Sequence, residues 1–232
     1  MLKITVGMVL KQMPRAFLYL IIGSLLGITI GFVLFYTNKP IFELILVIWS
    51  RKILFGAEFF GSENYSLWFI INNLIALLLV VTATIMILTH ISKTPTFYVA
   101  KRFRKLEKHR PKITVFGLYI IPIGAVIING FLISLFATYV LLIYEFGRFF
   151  DVMMLLLPHG IGELLALLLA SSLGLAYLKI LTPLILKKKW KSCIKTGEQL
   201  LKSRTTLFIV IAIIVLVIFS GLLEGSSDWF VT

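Results

Sequence analysis

The sequence predicts an all-α protein, a polytopic membrane helix bundle with about five spans that forms a single domain over residues 1–232. Its composition is 59% hydrophobic and only 14% charged, whereas soluble domains average about 25% charged residues. The mean hydropathy is +1.03, and the apolar residues form long unbroken segments. Basic residues, by contrast, are concentrated in alternate connections between these segments, which is the pattern of a multi-pass membrane protein.

Three segments have the length of one straight crossing, and two are longer. The straight ones cover residues 16–36, 67–88 and 205–223, each close to the roughly 20 helical residues that cross a hydrocarbon core. The segments 113–144 and 149–186 exceed that length. We therefore expect five crossings, two of which are kinked, over-long or extended by a half-helix.

The segment 149–186 contains Pro158 and Gly160, which predict an interruption. Proline removes a backbone donor and glycine relaxes the backbone. The pattern predicts an outer half-helix over 149–157 that dips into the bilayer, a re-entrant break at Pro158–Gly160, and a span over 161–186. A turn at that depth has to be buried in protein or face a cavity.

The distribution of lysine and arginine predicts the orientation in the cell membrane. The connections 93–112 and 187–204 are strongly basic, whereas 37–66, 145–151 and the tail after residue 223 are not. The positive-inside rule places the basic connections and the N-terminus in the cytoplasm and the C-terminus outside. The net charge of +13 is then explained by anionic lipid head groups at the cytoplasmic face, and no nucleic acid is expected as a partner.

The first span carries glycines at every fourth position. Gly23, Gly27 and Gly31 share one helix face, and small residues on one face allow another helix backbone to approach closely. The pattern predicts a helix-packing face, either within the subunit or across the axis of a homo-oligomer, and both alternatives stay open.

Polar residues inside the spans are the main candidates for function, because amides and ionisable groups are costly in lipid. Their positions along the chain allow a common depth in the outer half of the bilayer. We expect four of the side chains to converge there, namely those of Asn73, Asn129, His159 and Glu163. Two roles would explain these polar residues. One is structural hydrogen bonding, including a His159–Glu163 bond across one helical turn, and the other is the handling of protons or ions. The candidate intramembrane polar cluster is Asn73, Asn129, Gly130, His159, Gly160 and Glu163.

The sequence contains no recognisable catalytic or cofactor-binding pattern. His159 and Glu163 are only two potential zinc ligands, whereas catalytic zinc needs three protein ligands. No HExxH or GxSxG motif is present, and the single cysteine, Cys193, falls in a basic cytoplasmic connection and excludes an intramolecular disulfide. We therefore expect no enzymatic activity, no catalytic residue, no metal and no cofactor.

Several short motifs resemble the stage II sporulation protein M family. They are Asn73-Leu74, Asn129-Gly130, the run Pro158-His-Gly-Ile-Gly-Glu163 with the following small-residue helix and Pro183, and Gly221-Leu-Leu-Glu224. The resemblance implies a five-span protein with its N-terminus inside and without catalytic activity, which in spore formers joins partner proteins of the peptidoglycan-remodelling machine of engulfment. It implies no role in sporulation for this chain, because relatives occur in organisms that do not sporulate.

Two functions from different classes remain open. The first is a non-enzymatic scaffold or assembly subunit that binds other membrane proteins through its glycine-rich faces and basic helices, with homo-oligomerisation as a further alternative. The second is a small transporter or channel in which the Asn/His/Glu cluster lines a path for ions, protons or a small solute. An intramembrane enzyme ranks third.

Overall fold

A computed structural model of the chain describes residues 4–48, 65–93, 104–143 and 146–225, and nearly all of them are helical, with no strand among them. Short turns join the helices where the described chain is continuous. The helices are α1 (Val6–Leu10), α2 (Met13–Thr37), α3 (residues 39–48), α4 (Tyr65–Lys93), α5 (Arg104–Ile143), α6 (Phe146–Leu186), α7 (Trp190–Leu201) and α8 (Arg204–Gly225).

Five of these helices, α2, α4, α5, α6 and α8, are long and apolar enough to cross a membrane. Four of the apolar segments begin and end close to the predicted boundaries, whereas the first, Val6–Thr37, begins before the predicted start at residue 16. The all-α polytopic fold is therefore confirmed, and the chain is a multi-pass membrane protein.

The predicted break at Pro158–Gly160 is wrong, because α6 runs as one helix of 41 residues through Pro158 and Gly160. No separate half-helix over 149–157 exists. The reason lies in the backbone hydrogen bonds. A proline inside a helix removes one bond, whereas a re-entrant turn in the bilayer would expose several polar backbone groups that lipid cannot satisfy.

Helix α6 is the central element of the bundle. Over an 18-residue apolar stretch of α6, 78% of the residues are buried, against 22–33% over the corresponding stretches of the other four spans. It packs against α4, α5 and α8 along its length and also contacts α1, α2 and α7. The remaining spans therefore surround α6 and direct most of their own surface outward.

Helices α2 and α5 pack backbone to backbone through the predicted glycine face. A Cβ atom at Gly23 would overlap the carbonyl oxygen of Ile127, and one at Gly27 would overlap that of Phe131. At Gly31 a Cβ would lie 3.0 Å from Cγ2 of Thr138. The residue numbers on α2 and on α5 increase in the same direction along this contact, so the two helices run parallel. The glycine face therefore lies within the subunit.

One end of the bundle gathers the N-terminus and the helix ends that adjoin both basic connections. The Thr205 hydroxyl donates to the carbonyl of Ile4 at 3.2 Å. The guanidinium of Arg110 lies over the Trp190 ring, 5.8 Å from its centroid. We call this the basic end.

Helix α7 lies across the basic end with one buried face, formed by Cys193, Gly197 and Leu200. Gly197 faces Ile85 of α4, whose Cγ1 is 3.3 Å from where a Cβ would be. Burial raises the pKa of the Cys193 thiol to about 11, because burial disfavours the thiolate. The thiol is therefore protonated at neutral pH.

Candidate functional site: an intramembrane amide–carboxylate chain

A chain of three hydrogen-bonded side chains joins α4 to α6 inside the spans. The side-chain amide of Asn73 donates to a carboxylate oxygen of Glu163. The side-chain amide of Asn72 in turn donates to the side-chain oxygen of Asn73 at 3.2 Å. All three side chains are half-buried. We call this set the amide–carboxylate chain.

The parallel course of α4 and α6 positions this chain. From Glu163 toward the basic end the two helices stay in contact, because Gly174 has no side chain to separate them. A Cβ at Gly174 would lie 3.6 Å from the carbonyl oxygen of Val80 and 3.2 Å from Cβ of Pro122. Gly174 thus lets α4 and α5 approach the same level of α6, and the predicted small-residue face of α6 is a packing face.

The electrostatic environment of Glu163 differs from the expectation. The sequence places Glu163 at a helix N-terminus, where the helix dipole stabilises a carboxylate. In the structure α6 begins at Phe146, so Glu163 lies well inside a helix and that effect is absent. The side-chain amide of Asn73 instead donates a hydrogen bond to the carboxyl group of Glu163, and such a bond is stronger when the carboxyl group is ionised.

Gly162 lets α8 approach α6 next to Glu163. The hydroxyl oxygen of Ser220 occupies the position that a Cβ at Gly162 would need. This hydroxyl donates to the carbonyl of Leu216 at 2.8 Å. Gly162 therefore allows α8 to pack beside the carboxylate, a role that the sequence analysis missed although the residue lies inside the motif.

Asn129 and Gly130 do not join the amide–carboxylate chain. Asn129 is exposed on α5, and its amide donates to the carbonyl of Ala125 on its own helix at 2.8 Å. Gly130 faces α2, since a Cβ there would lie 2.5 Å from the carbonyl oxygen of Leu20. The structure therefore brings Asn73 and Glu163 together and places Asn129 and Gly130 in different surroundings.

His159 and Gly160 belong to the continuous backbone of α6. The side chain of His159 lies outside the described part of the structure, so the expected His159–Glu163 hydrogen bond stays a prediction. Around Gly160, no described atom outside its chain neighbours and the local helix backbone lies within 4 Å of where a Cβ would be.

A second polar network ties the core to the basic end. The hydroxyl groups of Tyr177 and Thr206 are 2.7 Å apart. Thr206 donates to the carbonyl of Leu200 at 2.6 Å and accepts from the hydroxyl of Ser203 at 2.9 Å. Ser203 also caps the start of α8 by accepting from the backbone N–H of Thr206 at 3.1 Å. The network fixes α6, α7 and α8 to one another.

The described residues contain no group of three His, Cys, Asp or Glu side chains that could hold a metal ion. Comparisons with protein families, with curated proteins and with solved structures find no match for this chain. The resemblance to the stage II sporulation protein M family therefore rests on the motifs. Two of those motifs meet in the structure, because Asn73 belongs to one and Glu163 to another.

Proposed function

We propose that this protein is a non-enzymatic assembly subunit that holds other integral membrane proteins together, as the resemblance to the stage II sporulation protein M family implies. The basic end faces the cytoplasm and contacts anionic lipid head groups, and the C-terminus is outside. The lysine and arginine distribution supports this orientation.

The observation that carries the proposal is the filling of the bundle centre by α6. Between the amide–carboxylate chain and the basic end, α6 presents Leu173, Tyr177, Leu178 and Leu181, all of which are fully buried. A transport path needs polar groups or water along its walls. The centre of this bundle is occupied mainly by packed apolar side chains, as expected of a structural subunit, and the hydroxyl groups of Ser171 and Ser172 on the same stretch are fully buried among them.

The surrounding spans supply the surfaces that an assembly subunit needs. On α8, Phe208 and Val215 are 63% and 59% exposed, whereas Ile213 is 1% exposed. Exposed apolar faces of a span are covered in the membrane by lipid or by helices of other proteins. Helix association in lipid depends on close packing of such faces.

Site-specific photo-cross-linking tests the proposal in the native membrane. A photoreactive residue at Val215 or Phe208 of the full chain should form cross-links to other integral membrane proteins, identified by mass spectrometry. The same residue at Ile213 is the control, because a buried position reaches only the chain itself. Cross-links to lipid alone from every exposed position would contradict the assembly role.

Transport is the second candidate, and the amide–carboxylate chain is the observation that favours it. A carboxylate at membrane depth is a frequent feature of proton and ion pathways. In vesicles with a pH or ion reporter, a transporter would show flux that Glu163→Gln abolishes and Asp151→Asn preserves. Asp151 is a matched control, since it is an exposed carboxylate on the same helix. Absence of flux across a broad ion panel would favour the assembly role.

A further inference from the structure

Asn129 is an exposed amide near the middle of the membrane. Gly23 faces Ile127 and Gly130 faces Leu20 and Ser24 across the parallel α2–α5 contact, so Asn129 lies at the level of residues 20–25 of α2. That level is close to the centre of the apolar segment 16–36. Asn129 therefore directs a carboxamide outward at a depth where lipid offers no hydrogen-bonding partner.

The hydrogen bonds of Asn129 are incomplete. One amide hydrogen bonds the carbonyl of Ala125. The second hydrogen and the side-chain oxygen remain available for other hydrogen bonds. Within the described ranges, no residue donates to that oxygen. A carboxamide carries two donors and an acceptor with two lone pairs, so it retains both a donor and an acceptor for a group outside the chain.

The surroundings of Asn129 have the pattern of a helix-packing seam. Ala125, Asn129, Leu132 and Phe136 follow one another at spacings of four, three and four residues along α5, and none of them is fully buried. This spacing keeps side chains on one face toward a partner helix, and a single asparagine in such a seam specifies how the helices pair. Ile128 and Ile133 beside it are 57% and 43% exposed.

We propose that Asn129 is the centre of a homodimer interface in which it pairs with Asn129 of a second copy. All copies of a membrane protein are inserted with the same orientation, so the same residue lies at the same depth in each. A two-fold axis along the membrane normal therefore brings two identical amides together. Each then donates to the oxygen of the other, and both groups are satisfied without any further protein. This inference goes beyond the assembly role and does not depend on it.

Energy transfer between labelled full-length chains in lipid vesicles tests the proposal. The wild type should associate as the protein-to-lipid ratio rises, and Asn129→Leu should weaken dimerisation by roughly 5- to 30-fold, as expected for interhelical amide bonds of about 1–2 kcal/mol. Asn129→Gln keeps the carboxamide and should restore most of the association. Thr29→Val is the matched control, because Thr29 is an exposed polar residue that bonds its own helix at Leu25.

Cysteine cross-linking in a Cys193→Ala background provides a second measurement. Asn129→Cys should form a disulfide-linked dimer on oxidation, whereas Leu25→Cys, 58% exposed at the same depth on α2, should not. Melting curves of each variant establish that it is folded. The proposal is overturned if the wild type is monomeric at every protein density, if Asn129→Leu associates like the wild type, or if Leu25→Cys cross-links as well as Asn129→Cys. A monomeric wild type would assign the Asn129 face to a different protein.

Discussion

At the scale of single residues, intramembrane polar groups separate into those that bond across helices and those that bond within one. Asn73 reaches Glu163 on another helix. Thr82 donates to the carbonyl of Leu78 on its own helix, as Asn129 does to Ala125. The sequence alone does not distinguish these two groups, because both appear as polar residues at helical positions. Only the first group determines how the spans are arranged.

The Asn73–Glu163 bond should contribute measurably to the stability of the fold. Asn73→Leu should lower the melting temperature in detergent, because it removes the donor and leaves the carboxylate with one hydrogen bond fewer. A double-mutant cycle with Glu163→Leu, which removes the acceptor, should give a coupling of about 1 kcal/mol. Thr82→Val on α4 is the control and should change the melting temperature little. Additive effects of Asn73→Leu and Glu163→Leu would show that the two side chains do not interact in the folded protein.

Lys188 is a strained residue at the end of α6. Its φ of 55° is in the left-handed region, which costs a side-chain-bearing residue about 1 kcal/mol or more, and glycine is the usual residue at this position of a helix end. Lys188→Gly should therefore raise the melting temperature, and Lys188→Val should lower it. Lys187→Gly is the matched control, since it also removes a lysine without relieving a positive φ. Equal effects of the two glycine variants would attribute the change to charge.

At the scale of helices, the sequence predicts the glycine face of α2 and the approximate bounds of all five apolar segments. Both are local patterns, set by the spacing of residues along one helix. The continuity of α6 through Pro158 was not predicted, because proline and glycine weaken a helix locally while the bilayer penalises the alternative over several residues. The partner of each face was also beyond the sequence, since it depends on which helices become neighbours.

The α2–α5 contact should tolerate no side chain at its centre. Gly27→Leu should disrupt folding, because its side chain would have to displace the backbone of Phe131. Ile28→Leu should be nearly neutral, since Ile28 is 41% exposed on the adjacent face. Size analysis and a melting curve of the detergent-extracted protein distinguish the two. Similar behaviour of both variants would mean that the helices are farther apart than the structure indicates.

At the scale of the whole molecule, the fold class, the number of spans and the alternation of basic connections followed from composition and segment length. The candidate site was predicted in part: Asn73 and Glu163 meet, whereas Asn129 lies elsewhere on α5. The depth argument is consistent with the contact between Asn73 and Glu163, but depth does not fix rotation about the helix axis. That rotation is determined by packing around α6.

The proposed orientation is tested by labelling with an impermeant thiol reagent in intact cells. Asn38→Cys, at the end of α2 away from the basic end, should react, and Ser192→Cys on exposed α7 should react only after permeabilisation. Both belong in a Cys193→Ala background. The native Cys193 is no reporter of sidedness, because its thiol is buried and protonated at neutral pH and is unreactive on either side. The reverse labelling pattern would invert the orientation.

The length of α6 has a mechanical consequence. A continuous helix of 41 residues is about 60 Å long, roughly twice the thickness of a hydrocarbon core. Its first part therefore extends beyond the apolar span Gly160–Leu186, and its later part is held to α7 and α8 through Tyr177 and Thr206. A load applied near Phe150 and Asp151 should therefore bend α6 first at Pro158, where the helix lacks one backbone hydrogen bond.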